Sequence, residues 1–182
     1  VAAKSWSNEN TIWFEMTCGH GNIVLPILMK RFETLEKKYS GSNHAALRSL
    51  ANSLNTLWAI DICPKNVELT RKRVLEFTFH ILSQEGFSID DKKSREYLAH
   101  VLCTIHVQIH ENEALSALGT KEDANKTKIG ALWVRKNGHH PIDFKNNWCA
   151  YFLKHSKGKI NVFEFQRALK FINAALSMSS IR

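Results

Sequence analysis

The sequence lacks the close cysteine pairs that would define a metal or disulfide framework. Its four cysteines contain no C-x-x-C pair and lie far apart: Cys18, Cys63, Cys103 and Cys149. This spacing argues against a zinc ribbon and against a disulfide-stabilised scaffold. We expect reduced thiols that are mostly buried. No G-x-S-x-G nucleophile elbow occurs either, which weakens an interpretation as a hydrolase.

Long apolar runs and targeting segments are also missing. No run approaches the roughly 20 apolar residues needed to span a membrane, and the N-terminus lacks the charged-then-apolar shape of a signal peptide. A cytoplasmic protein without a membrane partner is the expectation. The numbering starts at Val1 rather than at methionine, which suggests that residues upstream are missing. With 182 residues, 44% apolar content and no repeat, we expect one domain over residues 1–182.

Acidic residues are fewer than basic ones. The 25 lysines and arginines exceed the 17 aspartates and glutamates, giving a net charge of +8. Such a charge suits a polyanion, so DNA is a candidate partner. The alternative is an ordinary solvated basic surface. Because the basic residues form no arm or tail, any DNA-binding face must be assembled by folding.

Apolar periodicity predicts alternating strands and helices through the first two thirds of the chain. The predicted strands are Thr11–Glu15, Thr56–Ile62 and Thr104–Ile109, and the helices between them are Asn22–Tyr39, Asn66–Leu82 and Asp90–Leu102. This alternation is typical of right-handed βαβ units. The predicted fold class is therefore α/β with a mainly parallel sheet.

The last third carries weaker signals. Thr120–Lys128 is predicted to be a charged loop, and Ala131–Phe144 a hairpin that turns at Asn137-Gly138. A final helix is predicted over Val162–Leu176, from apolar residues at helical spacing.

A glycine turn after the first strand is the most informative pattern. Residues 11–26 read T-I-W-F-E-M-T-C-G-H-G-N-I-V-L-P, an apolar run ending in Glu15, then the turn, then a helix. Gly19 and Gly21 allow a tight turn and close approach of the backbone to a ligand. The unpaired N–H groups of the following helix favour negatively polarised groups there.

Acidic residues follow all three predicted strands. Glu15 ends the first, Asp61 the second, and Glu113 lies just past the third. Ligands of parallel α/β sheets bind beyond the carboxyl ends of the strands, where an acid can accept both ribose hydroxyls. Each acid alone could be a loop carboxylate or a helix cap. Together with the turn, they predict a nucleoside site.

These motifs resemble one known family. Residues 15–22, E-M-T-C-G-H-G-N, resemble the D/E-P-A-C-G-x-G-N signature of S-adenosylmethionine-dependent DNA methyltransferases of the adenine-N6 kind, including phage and restriction-linked members. Residues 57–62 and 66–73 are similar to the family's G-I-D-I and N-V-E-L-A-R-x-R runs, and residues 108–115 to its N-I-x-x-G-D-A-L run. The resemblance implies a Rossmann-like class I methyltransferase fold, bacterial or phage-encoded, with S-adenosylmethionine as cofactor.

The resemblance also implies residue roles. The acid and the turn would surround the methionine moiety, Asp61 would bind the ribose hydroxyls, Ile62 would lie against the adenine, and Glu113 would lie near its amino group. The implied cofactor-binding residues are Glu15, Thr17, Cys18, Gly19, Gly21, Asn22, Asp61, Ile62 and Glu113.

The family's D/N-P-P-Y/F/W catalytic motif is missing, since none of the three prolines adjoins another. In the family this motif accepts hydrogen bonds from the target amino group and stacks the extruded base. Catalytic residues are therefore unknown, and the sequence ends about where the family's fourth strand would begin. Three accounts remain open: a fragment or subunit completed by a partner chain or another copy, a degenerate member that only binds, or a methyltransferase with another substrate. The alternative from another class is a non-catalytic binding or assembly module.

One other motif contains two adjacent histidines. Gly138-His139-His140-Pro141, with Asn146, Asn147 and His155, faintly resembles the HNH metal nucleases. The gap from His140 to Asn147 is short and the accompanying cysteine pairs are missing, so a polar hairpin tip is the preferred interpretation. No metal is predicted.

Overall fold

A parallel three-stranded sheet organises the protein. The computed structural model describes residues 3–88 and 90–155. Its strands are β1 (Trp13–Glu15), β2 (Leu57–Asp61) and β3 (Ile109–Glu111), in the order β1-β2-β3 with all pairs parallel. The prediction of an α/β chain with a parallel sheet is thus confirmed. The predicted helix Val162–Leu176 lies outside the described residues.

Helices precede, connect and follow the strands. They are α1 (Ala3–Ser7), α2 (Val24–Lys38), α3 (Ala45–Asn55), α4 (Pro64–Gln84), α5 (Lys92–Gln108), α6 (Ala114–Leu118), α7 (Lys121–Asn125), α8 (Lys128–Asn137) and α9 (Trp148–His155). Within residues 3–88 and 90–155, no helix combines the length and the hydropathy needed to cross a bilayer.

The main core lies between one face of the sheet and helices α2 to α5. Leu57, Ala59 and Ile109 of the strands belong to the same buried cluster as side chains from all four helices. Every residue of β2 is buried, as expected for the central strand of a parallel sheet. The crossovers β1–β2 and β2–β3 therefore place their helices on the same face.

The opposite face of the sheet is covered by the loop 138–147. Phe144 of this loop packs edge-on against Phe14 of β1 and Trp58 of β2, with ring centroids 5.2 and 5.6 Å apart. Trp58 also meets His110 of β3 edge-on. Successive side chains of β2 point to opposite faces of the sheet, so β2 contributes apolar side chains to the packing on both faces.

The predicted strand Thr104–Ile109 was wrong for most of its length. Residues 104–108 continue α5, and β3 begins only at Ile109. The alternating β-branched residues imitate a strand, but Val101 and Ile105 lie one helical turn apart and both pack into the core. Tertiary packing here overrides β propensity.

The predicted loop Thr120–Lys128 and hairpin Ala131–Phe144 were also wrong. Thr120 and Asp123 form a capping box that starts α7, and Thr127 caps α8 by accepting a hydrogen bond from Gly130 N at 2.9 Å. Gly138, with φ +87°, ends α8 instead of turning a hairpin. A glycine with positive φ is a common helix terminator.

A partly buried histidine connects α9 to α5. The indole N–H of Trp148 donates to Nδ1 of His100 at 3.1 Å, and the His100 ring lies edge-on to Phe152 at 4.8 Å. Desolvation by burial lowers the pKa of His100 to about 4. The imidazole is therefore neutral in the folded protein near pH 7.

The lowered pKa of His100 predicts that the folded protein loses stability in mild acid. The unfolded chain takes up a proton near pH 6.5, the ordinary value, whereas the folded chain resists protonation down to about pH 4. Stability is therefore full above pH 6.5 and falls as the pH drops through this window. Between pH 7.5 and pH 5 we expect a loss of about 2 kcal/mol, measured by urea unfolding.

The asparagine variant H100N provides the test, because its side-chain oxygen can replace Nδ1 as acceptor without titrating. It should lose this part of the pH dependence, while H80N, at an exposed histidine of α4, should keep it. Identical pH profiles for the wild type and H100N would contradict the assignment.

Candidate functional site

The carboxyl ends of the three strands meet at one edge of the sheet, and each strand ends in an acid. These residues are Glu15, Asp61 and Glu111, the last two being register partners on β2 and β3. Ligands of parallel α/β folds bind at this edge. Two of these acids were predicted from the sequence. Glu111 was missed because the third strand was placed too early.

The glycine turn follows β1 and folds back over the end of β2. Cys18 N donates to Ile60 O at 2.8 Å, and Gly21 N donates to Cys18 O at 2.8 Å. Gly19 has φ +50° and Gly21 has φ +80°, a region that side chains with a Cβ rarely adopt. The backbone conformation therefore requires glycine at these two positions.

Asp61 connects the glycine turn to the end of β2 and the start of α4. Its Oδ2 accepts from Gly19 N at 2.8 Å, while its Oδ1 accepts from Cys63 N at 2.8 Å and from the Asn66 amide at 3.1 Å. A carboxylate offers about four acceptor positions. Three are taken by the protein itself, so about one remains, on Oδ2. The residue is 8% exposed.

Helix α4 holds the turn from the side. Thr70 Oγ1 donates to Gly19 O at 3.0 Å, and Arg73 Nη1 donates to His20 O at 2.6 Å and to Asn22 Oδ1 at 2.7 Å. A Cβ on Gly21 would come within 3.2 Å of Thr70 Oγ1, which is closer than ordinary contact. Thr70 and Arg73 were not predicted as site residues, although both lie within residues 66–73, the run that resembles N-V-E-L-A-R-x-R.

The first residues of the turn have different environments. Glu15 Oε1 accepts from both Thr17 N at 3.0 Å and Thr17 Oγ1 at 3.2 Å, near solvent. Cys18 is buried, and desolvation raises the pKa of its thiol. Any ligand in front of the turn would therefore meet the Glu15 and Thr17 side chains, but only the backbone of Cys18.

Glu113 lies two residues beyond β3, and its carboxylate caps α6. Oε2 accepts from Ser116 N at 2.8 Å in a buried setting. The neighbouring Asn112 donates from its backbone to Asp61 O at 3.1 Å and from its side chain to His140 O at 3.0 Å. Asn112 therefore joins the end of β2 to the loop 138–147, an amide contact that the glycine of the family motif could not make.

Exposed apolar side chains follow the three acids. Met16 comes directly after Glu15, Ile62 directly after Asp61, and Leu115 lies shortly after β3; all three are exposed. Ile62 was predicted to lie against an adenine, whereas Met16 and Leu115 were missed. An apolar residue directly after a strand-end acid is the signal that could have found Met16, whereas Leu115 lies four residues after Glu111, in α6, and has no such signal.

The arrangement offers no metal site in the part of the chain described. Residues 3–88 and 90–155 contain no group of three or more histidine, cysteine or acidic side chains placed to hold an ion. His139 Nε2 lies 3.1 Å from Gly119 O, and His140 Nε2 lies 2.7 Å from Asn137 O. Both rings thus contact helix-end carbonyls.

A cavity of about 200 Å³ lies beside the carboxyl end of β3, lined in part by Pro64, Arg71 and Glu111. None of the predicted cofactor-binding residues lines this cavity. Drug-sized ligands usually occupy clefts of about 300–1,000 Å³. A larger cavity of about 630 Å³ lies elsewhere, between α7 and α8.

Comparison with known proteins adds no relative. No protein-family model matches the sequence, and searches of curated proteins and of solved structures return no match. The residues at the strand ends are therefore the basis for a functional assignment.

Proposed function

We propose that this chain binds S-adenosylmethionine as a DNA adenine-N6 methyltransferase-like protein with a Rossmann-like class I fold, acting as a subunit, fragment or degenerate member. The observation that carries the proposal is the 2.8 Å hydrogen bond from Gly19 N to Asp61 Oδ2. It brings the glycine turn after β1 against the acid after β2, the two features that bind a nucleoside in parallel α/β sheets.

The residues present suit the chemistry of this cofactor, which supplies a methyl group on a positively charged sulfonium. Glu15 and Thr17 would face the methionine part, where a carboxylate favours the positive charge. Asp61 can accept one ribose hydroxyl on the remaining position of Oδ2, and a second if the Gly19 bond opens. Ile62 would contact the adenine face, and Glu113 would lie near its amino group.

One observation favours binding without complete catalysis. The D/N-P-P-Y/F/W motif is missing from the sequence. Its absence is expected if a partner chain or a second copy completes the site. The same absence suits the alternative, a non-catalytic binding or assembly module that uses its basic surface for nucleic acid or a protein.

Calorimetric titration with S-adenosylmethionine tests the proposal. At a concentration about 100 times Kd, binding should stabilise the fold by about 2.7 kcal/mol and raise Tm by about 5–10 °C. Absence of both heat and thermal shift at millimolar cofactor would overturn the proposal. Methyl transfer from tritiated cofactor to unmethylated DNA should be little or none for this chain alone.

Two isoleucines with similar exposure, at opposite edges of the sheet, test where the cofactor binds. Ile62, 45% exposed, follows β2 at the carboxyl edge of the sheet, whereas Ile12, 43% exposed, precedes β1 at the opposite edge. I62A should weaken cofactor binding about 5–10-fold through lost apolar contact. I12A should leave Kd unchanged. Equal effects of both variants would place the cofactor elsewhere.

A further inference from the structure

An apolar groove with a basic rim lies between α7 and α8. It encloses about 630 Å³, and its floor is formed by Ala131, Leu132 and Val134 of α8. The rim carries three cationic side chains and one amide, from Lys121, Lys128, Arg135 and Asn125. No acidic residue is among these lining residues. The groove is separate from the strand ends that carry the proposed cofactor site.

Helix α8 has apolar residues on two faces. Its inner face buries Trp133 and Val134 against Ala124 of α7. On the outer side, Leu132 is 56% exposed and Ile129 is 62% exposed. A surface helix of a monomer normally presents charged or polar residues on its outer face. Adjacent exposed aliphatic side chains beside a groove are typical of an interaction site.

The three rim cations form no ion pair with the two acids of the neighbouring helix, Glu122 and Asp123 of α7. Asp123 of α7 is engaged by Lys126 at 2.7 Å and by Thr120, and these contacts lower its pKa to about 2. Among the described residues, Lys121, Lys128 and Arg135 have no ion pair with an acid. The rim therefore favours a partner that brings negative charge.

We propose that this groove docks an acidic amphipathic helix of a partner protein. Such a helix places apolar anchors at i, i+3 and i+7 into a groove, here over Ala131 and Leu132, while flanking carboxylates lie near the three rim cations. A nucleic-acid backbone would use the cations but would gain little from the apolar floor. The charge and the floor together favour the helix. This proposal is independent of cofactor binding.

The test uses two fluorescently labelled helical peptides of about four turns with the same leucine anchors. One carries glutamates beside the anchors, and the other carries lysines at those positions. The acidic peptide should bind the full chain with a Kd on the order of 10 μM, and the basic peptide at least tenfold more weakly. Equal binding of the two peptides would overturn the proposal.

Substitutions in the groove test whether the peptide binds there. L132S should weaken binding of the acidic peptide at least tenfold, whereas L102S, at an exposed leucine of α5, should leave it unchanged. The double variant K128E and R135E should weaken the acidic peptide and strengthen the basic one. Circular dichroism establishes that each variant is folded. Binding that is insensitive to L132S would overturn the proposal.

Two further measurements address other occupants. Duplex DNA that displaces the peptide, and whose own binding falls with K128E and R135E but not with L132S, would identify a phosphate-binding surface instead. Sedimentation showing a dimer that L132S dissociates would identify the groove as a contact between copies of this chain. Either result would overturn the assignment to a partner helix.

Discussion

Replacing Asp61 by alanine is expected to lower the free energy of unfolding by about 3 kcal/mol, even with no ligand present. The substitution removes the acceptor of three donors, namely Gly19 N, Cys63 N and the Asn66 amide. Hydrogen bonds to a charged group contribute about 1.5–3 kcal/mol each, and partly buried donors left without an acceptor add a penalty. Because Asp61 is 8% exposed, water can replace part of the lost acceptor. The loss of stability should therefore be smaller than the sum of the three hydrogen-bond contributions. Urea unfolding measures the loss.

Two conservative variants separate the contributions of Asp61. D61N keeps one acceptor oxygen but places an amide nitrogen, which cannot accept, at the other position; we expect about half of the alanine effect. N66A removes one donor and leaves the carboxylate intact, so its cost should be about 1 kcal/mol. A D61A protein as stable as the wild type would mean that the three contacts contribute nothing in solution.

This structural role affects how Asp61 variants report on cofactor binding. Loss of binding in D61A alone would not distinguish a missing ribose contact from a disordered glycine turn. D61N is the better probe when its Tm without ligand remains well above the titration temperature. If the ribose contact is made, D61N should bind at least tenfold more weakly while keeping its fold.

The second large effect is expected at Gln108, the last residue of α5. Its side chain is 1% exposed, and its Nε2 lies within hydrogen-bond distance of Leu54 O at 3.0 Å, Asn55 O at 3.2 Å and Leu57 O at 2.8 Å. These carbonyls end α3 and begin β2. Q108E would bury a carboxylate against three carbonyl oxygens, and we expect a cost of more than about 3 kcal/mol at pH 7.

The leucine variant Q108L is the matched control, because it keeps the volume and carries no charge. Its expected cost is about 2 kcal/mol, from carbonyls that lose their donor. Acidification should recover part of the stability of Q108E relative to Q108L, since a protonated carboxyl can donate. Costs below about 1 kcal/mol for both variants would contradict the importance of this contact for the start of β2.

The sequence predicted the central elements of the fold because their signals are local and strong. β2 is a fully buried apolar run ending in Asp61, and α2 and α4 carry apolar residues at helical spacing. The ends of these elements in the structure differ from the predicted ends by only a few residues. The strand predicted over residues 104–109 was wrong because a short run of β-branched residues suits either a helix or a strand. Contacts between residues distant in sequence decide which of the two forms.

The site was predictable as a set of positions but not as a set of contacts. Glu15, Asp61 and Glu113 follow strands, and that placement can be read from apolar runs. That Asp61 is already bonded to Gly19 depends on a contact 42 residues apart in sequence. The short helix α7 starts with a capping box at Thr120 and Asp123, which a sequence search would have found, whereas α8 starts with Thr127 as a lone N-cap.

The order β1-β2-β3 also determines where the sheet can grow. Both crossovers wind in one direction and leave β1 at an edge of the described sheet, paired with β2 on one side and with no strand on its other side in residues 3–88 and 90–155. A further crossover that added a parallel strand next to β1 would reverse the winding at that point. The crevice created by this reversal would open directly beside Gly19 and Gly21. A strand added at the β1 edge would thus form one side of a cleft at the carboxyl ends of the strands, next to the glycine turn.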